Sequence, residues 1–294
     1  MKNIFLFSIL GILIASCSVG GGVSFKKNAS NGFTTNGINL ACENANIFIA
    51  DEEFNENIIT YGELVAFKFE DVSGFTSKGG KVCPGMKLSV TNSEGEEVIR
   101  YDDFYAESGG FPDQSGLILT ADLVLGQPIY SGDKYKVSIL IWDKNGAGTL
   151  KAEYSFELVE NEALTIKASD IEYNEIYLFS ENEGNTITGN VVSKDDKIYL
   201  LFEGLTGFTS EEGMIFPGLN LVITDSEGNE LLSEDDLLSD FSGSGLDEEQ
   251  FNKLMKTNFT LNEFDFEGSV HVYAMIWDKR TEAFIEVDFD LEVE

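Results

Sequence analysis

One long segment of this chain occurs twice, and that duplication sets the scale of whatever it folds into. Gly74-Phe75-Thr76-Ser77 recurs as Gly207-Phe208-Thr209-Ser210, Pro84-Gly85 as Pro217-Gly218, and Ser93-Glu94-Gly95 as Ser226-Glu227-Gly228. All share an offset of 133 residues, and from Gly74 to Val98 13 of 25 positions are identical. Ile141-Trp142-Asp143-Lys144 matches Ile276-Trp277-Asp278-Lys279 at an offset of 135, which small insertions explain. A unit of about 120 residues exceeds the roughly 20–50-residue period of solenoids. It is a whole domain present twice, which agrees with the prior of about two domains for 294 residues.

Each copy reads as β structure. Leu64 to Phe69 and Ile198 to Phe202 are short apolar-aromatic runs, and Leu88-Ser89-Val90-Thr91 and Leu221-Val222-Ile223-Thr224 each run into a Ser-Glu-Gly turn. Tyr135, Val137, Ile139 and Ile141 share one face at period two. Asp143-Lys144-Asn145-Gly146 then supplies a turn, with Asn-Gly suited to positive φ, and Leu150 to Val159 returns antiparallel. Helical candidates are few. In the second copy Asp247 is placed to cap a segment with Phe251, Leu254 and Met255 on one face. Short strands separated by turns point to an all-β sandwich.

Gly132-Asp133-Lys134-Tyr135-Lys136-Val137, followed by a strand, Asp143 and a Gly turn, resembles the closing hairpin of bacterial Ig-like and PKD-like modules. The resemblance implies a tyrosine corner, in which the Tyr135 hydroxyl bonds to backbone near the start of its strand. In the second copy Val270 stands at the position of Tyr135, so no such corner is expected there.

The N-terminus carries a different signal. Lys2 precedes an uncharged run from Ile4 to Ile14, and the small residues Ala15 and Ser16 precede Cys17. This run of 11 residues is about half the ~20 needed to span a bilayer. Ile14-Ala15-Ser16-Cys17 resembles the lipobox of bacterial lipoproteins. That resemblance implies cleavage before Cys17, which becomes the acylated first residue of the mature chain, and a chain held in the cell envelope by lipid, in the outer membrane as the expected site. Plain secretion and an uncleaved anchor are the competing readings. From Ser18 to about Asn44 the composition is Gly, Asn, Ser and Thr with few apolar residues, which reads as a flexible tether.

The net charge is −33, and loss of Lys2 with the leader leaves 18 basic against 52 acidic residues. Such a surface repels nucleic-acid phosphates and anionic lipid head groups, and no basic cluster along the sequence reverses that. Two cysteines remain besides Cys17. In an oxidising compartment Cys42 and Cys83 form a candidate disulfide, and two unpaired thiols are the alternative. There is no CxxC and His271 is the only histidine, so thiolate-imidazole zinc sites are not expected.

Three candidate sites follow from the repeat. Trp142 and Trp277, the only tryptophans, occupy matching strand ends, where they either stack on sugar rings or wedge against the following hairpin. Asp102-Asp103 and Asp235-Asp236 also match and are Ca²⁺ candidates, with a solvated acidic loop or a cap as the other reading. Asp240-x-Ser242-x-Ser244-Gly245 begins like an EF-hand loop, but its twelfth position is Phe251 where a bidentate Glu is required. No G-x-S-x-G, HExxH, P-loop or GxGxxG occurs, and the counterpart of His271 in the first copy is Lys136. No catalytic residue and no obligatory cofactor is therefore expected.

The resulting expectation is two tandem homologous Ig-like β-sandwich domains behind a signal peptide and tether. Residues 1–16 form the leader, 17–44 the lipidated cysteine and tether, 45–160 the first sandwich, 161–170 a linker and 171–294 the second. The expected role is non-enzymatic binding, adhesion or display, toward an unknown protein or glycan ligand. A carbohydrate-binding accessory lipoprotein and an enzyme of unfamiliar type are the alternatives.

Overall fold

A computed structural model describes residues 22–113 and 116–294. The leader and Cys17 lie outside the described residues. The first repeat opens with β1 (Val23–Lys27), β2 (Thr34–Ile38), β3 (Asn44–Ile49), β4 (Glu52–Glu53), β5 (Ile58–Thr60) and β6 (Leu64–Glu70). It continues with β7 (Lys81–Val82), β8 (Pro84–Thr91), β9 (Glu97–Tyr101), β10 (Phe111–Pro112), β11 (Leu119–Val124), β12 (Lys134–Asp143) and β13 (Thr149–Val159). The second comprises β14 (Thr165–Ser169), β15 (Glu175–Ser180), β16 (Asn185–Ile187), β17 (Val191–Val192), β18 (Lys197–Glu203), β19 (Met214–Ile215) and β20 (Pro217–Asp225). It ends with β21 (Glu230–Glu234), β22 (Leu246–Asp247), a short helix α1 (Glu248–Lys253), β23 (Leu254–Thr260), β24 (Ser269–Asp278) and β25 (Phe284–Val293).

The chain is an all-β sandwich, and its topology is written twice. The larger sheet of the first repeat has the order β1-β2-β13-β12-β8-β9, with β5 parallel to β13, and faces a sheet ordered β11-β6-β3-β4. The second repeat gives β14-β25-β24-β20-β21 with β17 parallel to β25, and a facing sheet β16-β15-β18-β23. Alternation along the long hairpins sends Val137, Ile139 and Ile141 into one core and Val272, Ala274 and Ile276 into the other. Both Ser-Glu-Gly turns close over a bulge, where Asn92 and Asp225 accept two backbone N–H groups each through their side chains.

Two boundaries differ from the expectation. Much of the stretch expected to be a tether is strand: β2 pairs with β13 and β1 with β2, while Phe33 and Leu40 are buried. Its polar composition is tolerated because the strand's hydrogen bonds come from β13, so little apolar surface has to be buried. Gly37 is required there, since a Cβ would run into the Leu40 carbonyl. Likewise the supposed linker 161–170 contains β14, which pairs with β25 as β2 does with β13. Asn39 and Asp170, both at φ of 60°, end these two strands in the same way. The repeat thus begins earlier than identity alone reveals.

The tyrosine corner is present in the first repeat. The Tyr135 Oη donates to the Tyr130 carbonyl and accepts from the Tyr130 amide, both at 3.0 Å. The helix forms where expected but is shorter. Asp247 Oδ1 accepts from the Gln250 amide at 2.9 Å and Phe251 packs against Phe208, while Leu254 and Met255 are already extended in β23. Pairing with β18 outcompetes a further helical turn. No helix among the described residues is long and apolar enough to cross a membrane.

Candidate functional site

The residues shared by the two copies converge on one arrangement, a clamp at the end of the long hairpin. Ile141 points into the core, and the neighbouring Trp142 lies outside, across Gly85 of β8, where any Cβ would collide with the indole. Asp143 turns back inside and accepts from the amides of Thr76 at 2.8 Å and Asn145 at 2.9 Å. Lys144 reaches Asp103 at 2.7 Å, and Asp103 also accepts from the amides of Met86 and Tyr105. The second copy repeats each step. Trp277 covers Gly218, and Asp278 accepts from Thr209 and Arg280 amides and the Thr281 hydroxyl. Lys279 pairs with Asp236 at 2.6 Å. The repeated Gly-Phe-Thr-Ser, Pro-Gly and Ile-Trp-Asp-Lys segments are therefore parts of a single structural device.

The calcium candidates Asp102, Asp103, Asp235 and Asp236 fall in and beside this clamp. Burial opposes ionisation of Asp103 and Asp236, yet the lysine and two amides at each hold both carboxyls below their usual range. An ammonium thus sits directly against each of these two carboxyls. Asp102 pairs with Arg100 at 2.6 Å, and Asp235 is exposed. Among the described residues no group of three or more His, Cys, Asp or Glu converges to hold a metal ion. The disulfide expectation is corrected too: Cys42 and Cys83 are free thiols, Cys42 buried in the first core and Cys83 half-buried beside Gly110. Burial pushes the Cys42 thiol up, which suits a packing residue better than a reactive one. The Trp142 and Trp277 indoles are half-buried wedges over glycine. His271 sits on the outer sheet surface, 2.9 Å from Asp290 and 3.4 Å from Asp288.

The remaining concentration of chemistry lies where the repeats meet. Tyr61 and Tyr177 approach with ring centroids 5.3 Å apart, and both hydroxyls donate to Glu203, at 3.0 and 2.7 Å. Burial, reinforced by Glu203, pushes both phenols well above their ordinary value. Opposite Glu203 on the neighbouring strand is Glu175, which is 1% exposed and accepts from the Ser131 amide of the first repeat. Burial pushes the Glu175 carboxyl up to about 7, and the charges of Glu160 and Glu203 add to this. Beside this network runs a groove of about 520 Å³ lined by Tyr61, Arg100, Tyr101, Gln127, Tyr177 and Phe179.

Sequence reasoning passed over these residues because it followed identity between the copies. Their signal lies in where the copies differ: Glu175 and Tyr177 stand where the first repeat has Asn44 and Asn46 at the same strand positions.

No family model and no curated protein matches this chain. Among solved structures, the C-terminal domain of Wzt is similar at 15% identity over 42% of this chain and 74% of that one, with a TM-score of 0.32. The structure titled pT26-6p is similar at 9% identity over 92% of this chain and 66% of that one, with a TM-score of 0.29.

Proposed function

We propose that this chain is a cell-envelope lipoprotein. It is held through acylated Cys17, with the outer membrane as its expected site, and presents its repeated β-sandwich unit as a non-enzymatic binding or adhesion module. The observation that supports this best is the use to which the repeated polar residues are put. Asp103, Asp143, Asp236 and Asp278 are each engaged by a lysine or by backbone amides, so what the copies share builds the fold rather than a reactive centre. Among the described residues, Glu175 is a carboxyl that burial pushes up, to about 7, the range in which a general acid works. It is 1% exposed, accepts from the Ser131 amide and does not line the groove beside Tyr61 and Tyr177.

Metabolic palmitate labelling and membrane fractionation of the wild type and Cys17→Ser test the proposal. The wild type takes up label and sediments with membranes, and Cys17→Ser does neither; label retained in Cys17→Ser overturns the anchor.

A second reading, a carbohydrate-binding accessory lipoprotein, is favoured by the aromatic lining of the groove. Tyr101 and Phe104 are exposed and in contact there or nearby, and Tyr177, Phe179 and Gln127 offer ring faces and hydrogen-bonding groups together. Under that reading Tyr101→Ala weakens retention on immobilised polysaccharide in affinity electrophoresis, and unchanged mobility for the wild type on a panel of envelope glycans removes it.

A further inference from the structure

The large sheet of the first repeat turns an outer face to solvent that is unlike the rest of this acidic chain. Strand register places Val23, Ile38, Thr149, Trp142 and Gly85 in one row across it. The next row runs Phe25, Asn36, Lys151, Leu140 and Lys87. Val23, Phe25 and Ile38 are 70%, 66% and 55% exposed, among the most exposed large apolar residues described. Around them the same face carries Lys27, Lys87, Arg100, Lys134, Lys136 and Lys151. Glu97, Glu153 and Glu157 are on this face too, and Asp102 reaches Arg100 from the end of β9. They pair with Arg100, Lys134, Lys136 and Lys151, whereas Lys27 and Lys87 take part in no ion pair among the described residues. Six cations thus meet four carboxylates on this face, in a chain with 19 basic and 52 acidic residues.

The second repeat serves as an internal control. Its equivalent face keeps Trp277, but Asn220, Ser233, Ser269 and Glu286 stand where the first has Lys87, Arg100, Lys134 and Lys151. Glu230, Asp288, Asp290 and Glu292 share that face, against Lys167 and His271. Apart from β1, which has no counterpart in the second repeat, the two faces share their strand order and carry opposite net charge.

We propose that the outer face of β1-β2-β13-β12-β8 is a membrane-docking surface, fitted to the anionic head groups of the bilayer in which Cys17 is anchored. The inference rests on the lipid-anchor reading and deepens it. Cys17 is six residues from Val23, so even a fully extended chain keeps β1 within about 20 Å of the lipid. The apolar corner of the face, Val23, Phe25 and Ile38, is the part next to that chain end. Head-group attraction acts within a Debye length of about 8–10 Å, which is reached only if this face lies on the surface. The apolar groups then enter the interface beside the lysines, the arrangement that interfacial elements use.

The two tryptophans are built-in reporters. The acylated full mature chain is reconstituted in vesicles of phosphatidylethanolamine and phosphatidylglycerol with brominated acyl chains, as Trp277→Phe (Trp142 reports) and as Trp142→Phe (Trp277 reports). Trp142 is expected to be quenched and Trp277 not. Lys27→Gln with Lys87→Gln, which breaks no ion pair, lowers the docked-to-free ratio by roughly twenty-five-fold, about fivefold per lysine. A chain that does not float with vesicles overturns the anchor and the docking with it. Flotation with Trp142 unquenched overturns docking alone. Equal quenching in phosphatidylcholine vesicles lacking phosphatidylglycerol also overturns the proposal, because it removes head-group charge from it.

Discussion

Glu175→Gln separates the chemistry of the repeat junction from the general acidity of the chain. Glu175 is 1% exposed, faces Glu203 across the strand pair and Glu160 nearby, and has Tyr173 and Tyr177 within the same polar cluster. Burial raises its carboxyl from 4.5 to about 7, so the folded chain holds this proton more tightly than the unfolded chain does. The associated stability is fully present below pH 4.5 and is lost as pH rises through about 7. At about 1.4 kcal/mol for each tenfold change in proton affinity, the loss is on the order of 3 kcal/mol. Glutamine keeps an oxygen to accept the Ser131 amide and carries no charge to desolvate. Urea denaturation of wild type and variant from pH 5 to pH 9 provides the assay. The two chains match near pH 5, and the variant becomes the more stable above pH 7. Carboxylates remote from this cluster are common to both chains, so the difference between the curves reports position 175 together with the groups its charge touches. Parallel curves, or a variant less stable at pH 8, refute the reasoning.

Other consequences are local. Tyr135→Phe removes both hydrogen bonds of the tyrosine corner and costs about 1 kcal/mol in denaturant titration, with the fold retained. Gly218→Ala drives a methyl group into the Trp277 indole, and destabilisation of roughly 1–3 kcal/mol with a shifted tryptophan emission is expected. Millimolar calcium or EDTA leaves the melting temperature unchanged, because Lys144 and Lys279 already neutralise Asp103 and Asp236.

Identity between the copies made the strands legible, since the repeated motifs are the clamp and its turns. The same method hid three things. β2 and β14 share almost no sequence, because their hydrogen bonds come from β13 and β25 and their side chains need little burial. The junction residues Glu175 and Tyr177 are by nature unrepeated, since each repeat meets the other with a different surface. The basic face could not be read along the chain because Lys27, Lys87, Arg100, Lys134 and Lys151 are scattered over more than a hundred positions; only strand register assembles them. The partners of the matching Asp pairs were hidden for a related reason. Acidic residues at equivalent positions suggested a metal, while their partners, Lys144 and Lys279, came from a motif some forty residues away.

Everything proposed about location depends on the chemistry of one residue, and mass spectrometry of the N-terminal peptide from membrane-purified protein reads it directly. The predicted peptide begins at Cys17, lacks Ile14-Ala15-Ser16, and carries a thioether-linked diacylglycerol on the cysteine sulfur. A mature chain that begins elsewhere, or a Cys17 thiol free to be alkylated, contradicts the account.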